Sequence, residues 1–113
     1  MRVGARHLDQ RRLLTPRDYF VDPSTFGLVP GAPTHIPPGG DQVSLRIARL
    51  QHGLVCQWAL AGRTPTVAAL CRRFEMSKQT LSLVTLGKRW AGETVLAALV
   101  HAASESARNT RSR

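Results

Sequence analysis

Side chains able to do covalent or metal chemistry are few and scattered. Cys56 and Cys71 stand fifteen residues apart in apolar, helix-like stretches with no CxxC or CxxH arrangement beside them. Structural thiols in a reducing compartment are expected there in preference to a zinc site. His7, His35, His52 and His101 are too widely spaced to suggest a metal cluster. Asp41, His52 and Cys56 fall on one predicted helix and do not converge, and no GxSxG, P-loop, HExxH or paired-carboxylate arrangement appears. No enzyme, catalytic residue, metal site, cofactor or small-molecule substrate is therefore expected. What remains is electrostatic: 16 Lys and Arg against seven Asp and Glu give a formal charge of +9 and a pI near 11.5. Such a surface attracts polyanions, and nucleic acid is the default partner. The excess is shared along the chain, which describes a domain with basic ends better than a polybasic tail on a neutral core.

The elements that must position these charges fit one modest domain, since 113 residues cannot enclose two cores. Residues 1–14 mix Arg2, Arg6, Arg11 and Arg12 with Val3, Leu8, Leu13 and Leu14, and the pattern allows a short helix across Leu8 to Leu14 with no strong cap. From Thr15 to Gly40 come six of the seven prolines and four glycines, so neither helix nor central strand persists. Tyr19, Phe20, Val21, Phe26, Leu28, Val29 and Ile36 are nevertheless too apolar for a solvated linker. Two outcomes stay open: an arm wrapped over the helical body, which burial preference favours, or a patch covered by another subunit or protein. The division is a 1–40 arm, a 41–104 helical domain and a 105–113 basic tail expected to fray.

Asp41 caps the first expected helix, whose Val43, Ile47, Leu50, Leu54, Trp58 and Ala61 recur as one face that must be buried. Arg46, Arg49, Gln51 and Gln57 lie opposite, Gly53 suggests a bend or a close helix contact, and Gly62 ends the element. Thr64 as cap and Pro65 at the first helical position start a second helix running to Phe74. Glu75-Met76 makes a turn, Ser77 caps a third helix over Lys78 to Leu86, and Gly87 stops it. After KRWAG a fourth helix opens at Glu93-Thr94, with Val95, Leu96, Leu99, Val100 and Ala103 as its apolar face. Trp58 is expected in the core. Trp90 is expected to pack under the fourth helix, with a place against a sugar-phosphate backbone as the alternative.

In the stretch Val67 to Leu86, VAALCRRFEMSKQTLSLVTL, the residues Leu70, Phe74, Met76, Leu81 and Val84 fall where two helices pack across a tight turn, and small Cys71 sits at their close approach. With the Ser77 cap, the Thr80-Leu81-Ser82 run, Gly87 and the apolar helix after it, the chain from about Thr66 to Ala103 resembles the lambda-repressor-like (Xre/Cro type) helix-turn-helix family. One position departs: the ninth, usually Gly because the turn wants a positive φ, is Glu75. The resemblance implies an all-α fold, a small helix-turn-helix bundle of about four helices; the irregular Pro/Gly-rich N-terminal segment, read from its composition, has no counterpart in the family. The resemblance also implies that the third helix enters the DNA major groove. On that basis Lys78, Gln79, Thr80, Ser82 and Leu83 are the base-reading candidates. The Gln79 amide matches adenine, Lys78 guanine or a phosphate, and Leu83 a thymine methyl, unless Leu83 packs internally. Arg63, Thr66, Arg72, Arg73, Ser77, Lys88 and Arg89 are the phosphate candidates, with a solvated helix face as the plain alternative for Arg72 and Arg73. The N-terminal arginines are candidates for a minor-groove arm.

The function implied is a sequence-specific double-stranded DNA-binding transcriptional regulator of a bacterium, phage or plasmid, most simply a repressor that occupies an operator. Such regulators often dimerise, here through the fourth helix and the apolar N-terminal segment. Two other classes compete: an antitoxin-like or adaptor module whose residues 15–40 order around a partner, and a nonspecific chromosome-organising DNA binder. No run of eighteen apolar residues and no signal-peptide core appear, so no membrane association is expected and a cytoplasmic, nucleoid-associated location is.

Overall fold

The computed structural model describes residues 14–112. Its order is two 3-10 turns, Pro16–Tyr19 and Pro23–Thr25, followed by helices α1 Gln42–Leu60, α2 Val67–Phe74, α3 Lys78–Thr85 and α4 Glu93–Ser112. Among the described residues there is no strand beyond an isolated antiparallel bridge between Phe20 and Thr34. The helix expected at Leu8 to Leu14 falls, but for Leu14, outside the described residues, as do Arg2, Arg6, Arg11 and Arg12.

The Pro/Gly-rich segment is an arm folded back on the helices. The Asp18 carboxylate accepts from the Thr15 backbone N–H at 2.7 Å and from its hydroxyl at 3.0 Å, which closes the first 3-10 turn. The chain then doubles over at the bridge, where the Val21 N–H donates to Pro33 O and the His35 N–H to Tyr19 O. Prolines prevent the pairing from extending. Tyr19, Phe20, Phe26 and Ala32 are buried against Leu45 and Ala48 of α1, with Leu14 and Trp90 at the edge. Phe20 and Phe26 meet edge to face at 5.4 Å between centroids. Of the seven apolar residues in this segment, Val21, Leu28, Val29 and Ile36 stay exposed.

The second core lies under the helices: Val55 and Trp58 of α1, Leu70 of α2, Leu81 and Val84 of α3, and Val95, Leu99 and Ala102 of α4, with Cys71, Phe74 and Met76 packed at its margin. The N-terminal half of α1 thus carries the arm and its C-terminal half the helical core. That division displaces the expected face of α1. Its buried residues are Leu45, Ala48, Gln51, His52, Val55, Cys56 and Trp58, whereas Val43, Ile47 and Leu50 are 65%, 46% and 52% exposed. Gln51, expected outside, is 1% exposed. Gly53 faces open space, and a Cβ there would meet nothing within 4 Å, so no intramolecular contact accounts for it.

Helix ends follow local chemistry with one shift. Asp41 caps α1 through the Ser44 N–H at 2.8 Å, and Gly62 at φ +73° lets the Arg63 N–H return to Trp58 O. α2 starts two residues later than expected. Its cap is Thr66, which accepts from the Ala69 N–H at 3.1 Å, while the Pro65 carbonyl accepts from the Trp58 indole N–H at 2.7 Å. In α4, Val95, Ala98, Leu99, Ala102 and Ala103 are buried, Val100 is exposed, and the helix runs to Ser112 through the segment expected to fray. Trp90 packs with the arm rather than under α4. Its indole N–H donates to Leu14 O at 2.9 Å and its ring meets Tyr19 edge to face at 5.8 Å.

Candidate nucleic-acid interface

Two helices of eight residues meet across three residues. The polypeptide reverses at Glu75, which takes the left-handed conformation at φ 52°, ψ 56°, while its N–H and that of Met76 both return to Cys71 O. A left-handed residue is what this position requires, and Glu accepts it at a strain of roughly 1 kcal/mol or more. Met76 turns into the core margin and Ser77 starts α3: its hydroxyl oxygen accepts from the Thr80 N–H at 3.0 Å and donates to the Thr80 hydroxyl at 2.8 Å. Leu81, Val84 and Thr85 form the buried face of α3.

The opposite face is the candidate site. Gln79, Ser82, Leu83 and Leu86 follow at the three- and four-residue steps of one helical stripe. Gln79, Ser82 and Leu86 are exposed and Leu83 is half-buried. Lys78 is exposed beside this stripe at the helix start. Thr80 lies half-buried on the margin, its oxygen already accepting from Ser77. Of the five base-reading candidates, Lys78, Gln79 and Ser82 thus share an open surface, Leu83 borders it, and Thr80 serves chiefly the cap. Leu86, 48% exposed, belongs to the stripe and was not among the candidates; its i+7 relation to Gln79 was the available signal.

The phosphate candidates separate into groups. Arg72 and Arg73 occupy the last turn of α2, where the helix dipole favours cations, and the Arg73 guanidinium lies 5.7 Å over the Phe74 ring. Thr66 and Ser77 sit at the starts of α2 and α3, each committed to its cap. Lys88 and Arg89 are exposed just past α3. Arg63 stands apart, its guanidinium 4.9 Å over the Trp58 indole, a structural contact. Among the described residues no carboxylate pairs with Arg72, Lys78, Lys88 or Arg89; the one ion pair seen is Arg108 with Glu105 at 3.2 Å. The arm adds a cation, since the Arg17 backbone N–H donates to Gly87 O at 3.0 Å and so places that residue beside Lys88.

Two buried polar side chains hold this surface in place, and neither stood out in the sequence. The Gln51 amide nitrogen donates to Val84 O at 2.9 Å and Arg89 O at 3.0 Å, while its oxygen accepts from the Ala91 N–H at 3.0 Å. One side chain thus binds the end of α3 to the linker that follows. His52 holds the arm in the same way: Nδ1 accepts from the Gly27 N–H at 2.8 Å and Nε2 faces Val29 O at 3.0 Å, which selects the neutral Nε2–H tautomer. Burial pushes the His52 pKa down from 6.5, against the opposite pull of the Val29 bond, and burial raises the Cys56 thiol. With both His52 nitrogens facing backbone groups and a protonated thiol 3.5 Å away, the pair is built as packing. Gly87 completes the junction at φ +76°, where a Cβ would lie 2.7 Å from Phe26 and 3.0 Å from Arg17.

Among the described residues no three His, Cys, Asp or Glu side chains lie close enough to hold a metal ion, and no helix is long and apolar enough to cross a membrane. Comparison with protein families, characterised proteins and solved structures gives no match.

Proposed function

We propose that this chain binds double-stranded DNA as a transcriptional regulator, laying α3 in the major groove and acting by occupancy, most simply as a repressor of nucleoid DNA. The observation that carries the reading is the outward stripe of α3. It is exposed at Gln79, Ser82 and Leu86, polar at its N-terminal end and flanked at both ends by cations that no described carboxylate neutralises. At about 12 Å, the helix has the length of a groove-reading element. Gln79 reads an adenine edge, Lys78 donates to guanine or to a phosphate, Ser82 makes a weaker contact, and Leu83 with Leu86 offers apolar surface to a thymine methyl. Arg72, Arg73, Lys88, Arg89 and the start of α2 hold phosphates and set the register. Against the adaptor alternative, Tyr19, Phe20 and Phe26 of the 15–40 segment are consumed within the chain's own fold.

The test is selection of bound duplexes from a random pool at about 150 mM salt, with Gln79→Ala and Arg72→Ala in parallel. A motif is expected, with Gln79→Ala relaxing one position by roughly 1–3 kcal/mol. Arg72→Ala is expected to weaken all sites alike and lower the salt slope by about one. Binding without a motif would replace the regulator with a charge-driven DNA binder, and loss of all binding would turn α3 into a protein-contact surface.

A further inference from the structure

A surface cavity of about 360 Å³ opens where the turn before α2, the last turn of α2 and the middle of α4 meet, and its described walls are Thr64, Pro65, Arg73, His101 and Glu105. It is separate from the outward stripe of α3, since none of Gln79, Ser82, Leu83 or Leu86 lines it. Phe74 seats two of the polar walls. The Arg73 guanidinium rests 5.7 Å over its ring, and the His101 ring is tilted against it at 5.7 Å between centroids. Glu105 follows His101 by four residues, one turn further along the same face of α4. Its carboxylate pairs with Arg108 through Oε2 at 3.2 Å, and Oε1 makes no bond. Among the described residues neither the Arg73 guanidinium nor the His101 ring makes a hydrogen bond, and Arg73 forms no ion pair with Glu105 although both border the one cavity. Two opposite charges thus stand on different helices, beyond ion-pair distance, around a space of the size that small-ligand sites have.

We propose that this cavity binds a free α-amino acid as a zwitterion. Arg73 takes the carboxylate, whose two oxygens match the planar guanidinium fork. Glu105 Oε1 accepts from the ammonium group, and His101 adds a polar contact one turn before it. Charge selects the class of ligand: a plain anion meets the Glu105 carboxylate and a plain cation meets the Arg73 guanidinium, whereas a ligand carrying both charges satisfies both walls. Once bound, it ties the end of α2 to α4. The site does not rest on the DNA reading. One consequence does: Arg73 is also a phosphate candidate, so a bound amino acid withdraws that cation from DNA.

Thermal unfolding of the full chain without DNA, with each of the common L-amino acids in turn at about 10 mM, is the first test, because a ligand of the native state raises the midpoint. Acetate and methylammonium serve as probes that carry one charge each. At least one amino acid is expected to raise the midpoint where neither single-charge probe does, and calorimetric titration is expected to give it a Kd on the order of 0.1–1 mM. Backbone amide shifts of the 15N-labelled chain are expected to move around residues 64, 73, 101 and 105. Arg73→Gln and Glu105→Gln should each weaken binding roughly tenfold. Arg49→Gln makes the same charge change on α1 outside the cavity and should leave binding as it was. Arg73 is exposed and Glu105 partly so, hence these variants keep the fold, which their amide spectra check. No midpoint raised by any amino acid, a single-charge probe as effective as the amino acid, or binding that survives both Arg73→Gln and Glu105→Gln would each overturn the site.

Discussion

Gln51→Met keeps side-chain length and removes every hydrogen bond of the buried amide, so it measures the clamp between α3 and its linker without opening a cavity. Three bonds of 2.9–3.0 Å are lost, each worth about 1 kcal/mol net. The groups left behind modify that sum. The Val84 carbonyl keeps a bond from the Gly87 N–H at 3.1 Å, and exposed Arg89 admits water to its carbonyl, whereas the Ala91 N–H is left without its acceptor. The expected loss is therefore about 2–4 kcal/mol, a large share of the stability of a domain this size. Urea unfolding followed by far-ultraviolet circular dichroism at pH 7 measures it, with the midpoint falling and the slope unchanged. A shift equivalent to less than about 0.5 kcal/mol would refute the view that this amide ties the helix to the linker.

His52 predicts a pH dependence. Its folded-state pKa lies below the unfolded value of 6.5, so its contribution is complete above pH 6.5. It declines as pH falls below 6.5, where the unfolded chain takes up a proton that the folded chain resists, and it levels off below the folded pKa. The stability difference between wild type and His52→Gln should therefore shrink between pH 7 and 5, and a constant difference would contradict the His52–Gly27 bond. At the turn, Glu75→Gly should stabilise by about 0.5–1 kcal/mol in thermal unfolding, because Gly adopts φ 52° without strain. Equal or lower stability would mean that Glu75 has a compensating contact.

Local signals were legible in the sequence: Asp41, Ser77, Gly62 and Gly87 mark helix ends by their own chemistry, and the apolar slots from Leu70 to Val84 place α2 against α3. The face of α1 was not legible. The helix carries two apolar stripes, one through Leu45, Ala48, Val55 and Cys56 and one through Val43, Ile47 and Leu50, and periodicity alone does not say which meets the chain's own core. Gln51 and His52 look like solvent-facing polar residues because their partners, the carbonyls of Val84, Arg89 and Val29 and the N–H groups of Ala91 and Gly27, come together only in the tertiary fold. The bond from the Trp58 indole to the Pro65 carbonyl ahead of α2 is likewise a tertiary contact. In the candidate site, helical spacing placed Gln79 and Ser82 on the face opposite Leu81 and Val84, whereas the use of Arg63 as a lid on Trp58 required the folded turn.

The tie between the arm and the far end of α3 bears on how the chain is made. Leu14 and Arg17 leave the ribosome before their partners Trp90 and Gly87, which are synthesised some seventy residues later. Until then Tyr19, Phe20 and Phe26 lack part of the surface that covers them. The arm therefore settles late, closing a loop of 76 residues between Leu14 and Trp90, and such non-local contacts slow folding. During synthesis its aromatic residues are the segment most in need of protection from association with other nascent chains.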